Sequence, residues 1–267
     1  MPELNTKVNP APGEKYVMTQ SLIMVPFRAD PKKLQARMLP KPLEPVGKGD
    51  IGWVYMVDTA MPGLREVEDG EPPDPDMTEF HELAIGMPAI YNGFEFGYMS
   101  QVCLDRQTAG LRRGILRNIT YTQMTDIQPL LTGRSELKAG TKLYGISHRP
   151  HGEMVCKLSI ELTEPYDFDA LPVGCRRFAH ARYLKDPANQ NEPFVKDVPL
   201  FQFTNGLDGV DCWRGKTTLQ FGGDYYGKWL DLGEIEPLDG FFYNFGYCYG
   251  SDSQVTPVDE KGDWKWF

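Results

Sequence analysis

Runs rich in Ile, Val, Tyr and Phe, broken at short intervals by Gly, Pro and Asn, fill the chain from Phe80 to Gln123. That is the pattern of strands joined by tight connections, with turns expected at Gly86-Met87-Pro88 and Asn92-Gly93. Shorter strands are predicted at Ser21–Pro26, Ile51–Val57, Leu200–Thr204 and Thr217–Phe221, and a hairpin at Tyr144–His148 and Glu153–Leu162 across Arg149–Gly152. One brief helix is expected: Asp30 is an N-cap, Pro31 occupies the first helical position, Lys32 to Met38 follow, and Pro40 and Pro42 end it. Residues 1–15 read as a loose arm, Pro72–Asp76 as an irregular acidic loop, and Pro165–Pro199 as a long irregular excursion. Many short strands and few helices predict one mainly β (α+β) domain over residues 1–267, built on an antiparallel sheet with a few short peripheral helices. The densely aromatic stretch Phe241–Tyr249 is too apolar to leave in water, which predicts a homo-oligomer of at least two copies.

Composition narrows the class. At 267 residues the chain can bury a sizeable core without disulfides. The formal net charge of −9 argues against a nucleic-acid partner, which would want a basic face. Five cysteines, with no Cys-x-x-Cys pair, suit reduced thiols in a cytoplasmic protein better than a disulfide framework or a structural zinc site. No apolar run approaches the length that spans a bilayer, so no membrane partner is expected. His148-x-x-His151 spans a turn and lacks further ligands, so no metal is expected there. Gly222–Gly227 lacks the strand and Lys-Ser/Thr pair of a phosphate loop, and neither a serine-hydrolase elbow nor a dinucleotide fingerprint occurs. No cofactor is expected.

The informative residues are charges set among apolar neighbours. If Phe80–Ala84 is a strand, Glu82 shares a face with Phe80 and Ala84 while His81 points the other way. Desolvation of such a carboxylate raises its pKa towards a useful acid/base range. In Arg113–Gln123 the same alternation groups Arg113, Arg117, Tyr121 and Gln123 on one face, either as a solvated basic strip or as a cradle for a carboxylate or oxyanion.

These features resemble the acetoacetate decarboxylase family over most of the chain. The resemblance is carried by Val25–Pro45 (VPFRADPKKLQARMLPKPLEP), by Glu82–Gly93 (ELAIGMPAIYNG) with its glutamate six residues before a proline, by Tyr98–Asp105 (YMSQVCLD), and by Trp213–Phe221 (WRGKTTLQF) followed by Pro237–Gly240 (PLDG). It implies a cone-like or barrel-like β structure around a buried cavity, assembly into oligomers, an active-site glutamate at Glu82, and a lysine that forms a Schiff base with a keto acid. The catalytic lysine's place falls between Arg117 and Thr122, yet no lysine occurs from Gly49 to Leu137. Arginine does not deprotonate to a nucleophilic amine. The family's arginine in the first strand falls near Gln20, where it too is missing.

The reading that follows is an enzyme, a lyase or isomerase acting on a small carbonyl- or carboxylate-bearing molecule by lysine-free acid/base chemistry: dehydration, cyclisation, isomerisation or non-Schiff-base decarboxylation. Glu82, Arg117 and Tyr121 are its expected catalytic residues, and Gln20, Arg113 and Gln123 its expected substrate-binding residues. One alternative is a non-catalytic small-molecule binder on the same fold. The other is a Schiff-base enzyme with a relocated lysine, for which Lys157 in Met154–Ile160 is the candidate. Lys157 faces the cavity if Met154, Cys156, Leu158 and Ile160 pack against an outer layer, and is an ordinary solvated lysine if they form the cavity side of that strand.

Overall fold

The computed structural model describes residues 15–40, 43–60, 79–91, 93–105, 122–124, 126–128, 137–149, 152–179, 182–185, 193–197, 199–202, 206–250 and 256–257. The first half of the chain forms β1 (Lys15–Arg28), helix α1 (Pro31–Met38), β2 (Glu44–Pro45), β3 (Ile51–Ala60), β4 (Glu79–Tyr91), β5 (Phe94–Leu104), β6 (Thr122–Met124) and β7 (Asp126–Gln128). There follow β8 (Lys142–His148), β9 (Met154–Pro165), β10 (Arg177–Ala179), β11 (Arg182–Lys185), β12 (Pro193–Asp197) and β13 (Pro199–Gln202). The last strands are β14 (Gly206–Phe221), β15 (Glu236–Pro237), β16 (Gly240–Gly250) and β17 (Thr256–Pro257). Fifteen strands join one sheet whose main path runs β17-β13-β10-β5-β4-β3-β1-β16-β14-β9-β8-β7. Pairing is antiparallel except where β10 and β6 run parallel to β5. Among the described residues the path stays open at β17 and β7, so the sheet is cone-like and does not close into a barrel.

The sheet curls, so that its two faces build two cores. On one face Ile23, Val54, Leu83, Ile85 and Cys103 pack against Leu143, Cys156, Leu158 and Ile160 of β8 and β9. On the other, Leu22, Met24, Trp53, Tyr55, Ala84 and Val102 are covered by Leu171, Cys175 and Phe178, with Tyr243 beside them. Helix α1 begins as its residues dictate: Asp30 Oδ1 accepts from the backbone N–H groups of Lys32 and Lys33, at 2.8 and 3.2 Å. It buries Leu34 and Met38, one turn apart, in the first core.

Three expectations change. Gly86-Met87-Pro88 is not a turn but lies inside β4, where the β4–β5 register shifts between Ile85 and Gly86. Pro88 is tolerated because the β3 ladder has ended at Gly86 and the β2 ladder begins only at Ala89. The real reversal is the β4–β5 hairpin after Tyr91, where Gly93 takes φ +78. The Pro165–Pro199 excursion contains three short strands, too brief to show alternation; Phe178 of β10 pairs with Gly97 of β5. Phe241–Tyr249 belongs to β16, which lies between β1 and β14. Phe241, Phe242 and Tyr243 are buried within the chain itself, so these three side chains carry no argument for assembly.

The predicted β8–β9 hairpin is present, with Arg149 N–H donating to Glu153 O and Gly152 N–H to Arg149 O, both at 2.8 Å. The thiols of Cys103, Cys156, Cys175 and Cys212 are free and buried. No helix among the described residues is long and apolar enough to cross a membrane.

Gly86 tests the packing of β4. A Cβ there would lie 2.0 Å from Tyr98 O and 2.5 Å from Trp53 Cζ2, so backbone and ring would both have to move. Gly86→Ala should lower stability to urea by about 1–3 kcal/mol. An unchanged midpoint would contradict this packing.

Candidate functional site

Strands β1, β3, β4 and β5 place four rows of side chains on one sheet face. The first is Gln20, Thr59 and Phe80; the second is Leu22, Val57, Glu82 and Leu104. The third is Met24, Tyr55, Ala84 and Val102, and the fourth is Pro26, Trp53, Gly86 and Met99. Glu82 therefore lies on the face that the strand alternation assigned to it, with Phe80 and Ala84, and is 1% exposed. The Tyr55 hydroxyl donates to Glu82 Oε1 and has Met99 Sδ at 3.7 Å. When Glu82 is ionised, this is a charge-assisted bond, stronger than a neutral one.

Gln20 is buried on the same face, and its Nε2 donates to Thr59 Oγ1 at 2.8 Å. The Tyr243 hydroxyl donates to Cys175 O at 2.8 Å. Burial pushes the Cys175 and Cys212 thiols up to about 12, and raises the Tyr243 hydroxyl well above its ordinary value. These groups stay neutral at physiological pH and act as packing and hydrogen-bonding groups. Trp53 stacks on Tyr55, with ring centroids 5.5 Å apart and planes 3° from parallel, and Phe178 stands edge-on to both.

The opposite face of β4 holds a second polar group. The His81 ring Nδ1 meets Asp105 Oδ2, and the His81 backbone N–H donates to Asp105 Oδ1 at 2.8 Å. Asp58 Oδ1 lies 3.6 Å from His81 Nε2. His81 and Glu82 thus sit back to back, as the alternation required. Further along this face the Tyr225 hydroxyl donates to Gln101 Oε1, and the Arg149 guanidinium lies 5.5 Å from the centre of the Tyr225 ring.

Arg113, Arg117 and Tyr121 lie outside the described residues, as does His151. Gln123 is in β6 at the register position of Cys103, and Thr122 at that of Val102; their side chains are not described. Lys157 is exposed, while Cys156, Leu158 and Ile160 are in the core, so it is the solvated lysine of the two options. The other lysines with described side chains, Lys32, Lys33, Lys48, Lys138, Lys142, Lys216 and Lys228, are exposed as well. No cluster of three or more His, Cys, Asp or Glu suited to a metal occurs among the described residues.

Sequence reasoning missed Tyr55 and Trp53. The signal was present, since alternation along Ile51–Val57 groups Trp53, Tyr55 and Val57. What it lacked was the β3–β4 register that sets Tyr55 beside Ala84, one row from Glu82. The Asp58–His81–Asp105 cluster was missed for the same reason.

The family model for acetoacetate decarboxylase (ADC) matches residues 2–256. The chain belongs to that family. No curated protein sequence matches it. Among solved structures, an acetoacetate decarboxylase-like enzyme from Sphingomonas wittichii RW1 superposes with a TM-score of 0.71 at 18% identity, covering 93% of this chain and 94% of that one. The enduracididine biosynthesis enzyme MppR, complexed with pyruvate, gives 0.71 at 18% identity over 94% of this chain and 93% of that one. Acetoacetate decarboxylase from Legionella pneumophila subsp. pneumophila str. Philadelphia 1 gives 0.64 at 15% identity over 97% and 93%. At these identities the likeness is one of fold.

The Tyr55–Glu82 pair makes a testable energetic claim. Tyr55→Phe should cost about 1–3 kcal/mol of stability, because a buried acceptor loses its donor. In a Glu82→Leu background the same change should cost less than half as much. Equal losses in the two backgrounds would show that the hydroxyl and the carboxylate are not coupled.

Proposed function

We propose that this family member is an enzyme acting on a small 2-oxo acid or related carbonyl compound by lysine-free acid/base chemistry, with Glu82 as the proton carrier. The observation that carries the reading is a carboxylate, 1% exposed, in an apolar face with the Tyr55 hydroxyl on it. Such a group takes a proton from carbon next to a carbonyl when ionised and returns one when protonated. The pyruvate bound by MppR, a protein of the same fold, supports a 2-oxo acid as the substrate class. The absence of lysine from residues 49–137 and the exposure of the described lysines support chemistry without an imine.

In this reading Glu82 abstracts the proton and the carbonyl oxygen takes up the electron pair as an enolate. Arg117 and Tyr121 are proposed to hold the substrate carboxylate or that oxyanion, with Arg113, Gln20 and Gln123 completing the binding set. Whether the product is dehydrated, cyclised or isomerised depends on which bond the enolate then breaks or forms; in a decarboxylation the loss of CO2 itself generates the enolate, and protonated Glu82 returns a proton to its carbon.

Exchange of the pyruvate methyl protons with D2O, followed by proton NMR, isolates the first step. The protein should accelerate it, and Glu82→Gln should lower the catalysed rate by about 10²–10⁴-fold while the circular dichroism spectrum is unchanged. A Glu82→Gln protein that exchanges pyruvate at a near-normal rate removes Glu82 from the mechanism.

A further inference from the structure

Trp53 is 1% exposed, and its Nε1 has no hydrogen-bond partner among the described residues. Buried N–H groups are nearly always paired, and one left unpaired carries the full desolvation penalty of the group. Other donors on this face are engaged: the Tyr55 hydroxyl on Glu82, Gln20 Nε2 on Thr59 and the Tyr243 hydroxyl on Cys175 O. The orientation of the indole is also fixed. One ring face stacks on Tyr55, Phe178 stands against its edge, and its Cζ2–Cη2 edge lies over Gly86, so close that a Cβ there would be 2.5 Å from Cζ2. The glycine is what lets the ring lie flat in that place, next to the tyrosine that holds Glu82.

We propose that Trp53 is a substrate-recognition residue whose indole N–H donates to a carboxylate or carbonyl oxygen of a 2-oxo acid bound beside the Tyr55–Glu82 pair; this rests on the acid/base reading of that pair. Indole N–H is a donor only and keeps its proton, so it recognises an acceptor atom and takes no part in proton transfer. Trp53 stacks on the Tyr55 ring whose hydroxyl holds Glu82, so an acceptor bound by the indole N–H lies beside the Tyr55–Glu82 pair. The pre-set ring plane makes the contact selective. A ligand with an acceptor satisfies the buried N–H, whereas a ligand that offers only donors leaves it unsatisfied.

The test is a titration of the uniformly ¹⁵N-labelled full chain with pyruvate. The sequence holds 5 tryptophans, so 5 indole N–H signals are expected. Trp53→Phe, which keeps an aromatic ring against Tyr55, identifies the signal of Trp53; its contacts with the Tyr55 ring assign it in the unsubstituted protein if that variant does not fold. The expected result is a downfield shift of the Trp53 indole proton that saturates together with shifts of the Glu82 and Ala84 backbone amides. Trp53→Phe should also bind pyruvate about tenfold more weakly. If the Glu82 and Ala84 amides shift while the Trp53 signal stays in place, as it would for an indole held by a trapped water, the role of Trp53 is overturned and that of Glu82 stands. If none of the three responds at saturating pyruvate, the 2-oxo acid reading fails, and the role of Trp53 fails with it.

Discussion

Placing a carboxylate inside an apolar sheet face is costly, and the way Glu82 meets that cost organises the rest of the site. An ionised group removed from water needs hydrogen bonds of good geometry to survive there. The Tyr55 hydroxyl supplies one, and it can do so only because β3 and β4 pair in a register that sets Tyr55 opposite Ala84. Tyr55 is in turn held by its stack on Trp53 and by Phe178, which reaches the site from the segment after β9. Trp53 needs the bare backbone of Gly86 beneath it. One polar pair thus depends on three strands and on one glycine.

The two faces of β4 divide the polar residues between them. Glu82 faces the aromatic core, and His81 faces the other way, where Asp105 takes both its backbone N–H and its ring nitrogen and Asp58 stands near the second nitrogen. This arrangement ties the end of β5 to the start of β4 at the residue next to Glu82. It gives the carboxylate a firm backbone, and it keeps an imidazole, the commonest biological proton carrier, away from the aromatic face. In the proposed function, proton transfer on that face falls to Glu82.

Much of this was legible in the residues, and the parts that were not have physical reasons. The cap at Asp30, the β8–β9 hairpin and the face of Glu82 all depend on neighbours within a few positions in sequence, where periodicity and capping rules act. Gly86-Met87-Pro88 misled because glycine and proline mark turns in general, and only the gap between the β3 and β2 ladders lets proline sit in a strand here. At Phe241–Tyr243 an apolar stretch calls for cover without saying whose, and for these three side chains the chain itself supplies it. Tyr55 and Trp53 were missed for a third reason. Their roles come from strand register, which joins residues 27 positions apart in the case of Tyr55 and Glu82.

The central claim is that Glu82 works without an amine nucleophile, and reductive trapping tests it most directly. Borohydride is added to the protein with pyruvate, and the intact chain and its peptides are weighed by mass spectrometry. Chemistry carried by Glu82 alone predicts no added mass on any lysine and no loss of pyruvate-dependent proton exchange. A reduced pyruvate adduct on a lysine, at Lys157 or elsewhere, together with lost exchange, would contradict the claim and return the protein to the imine chemistry that its family resemblance first implied.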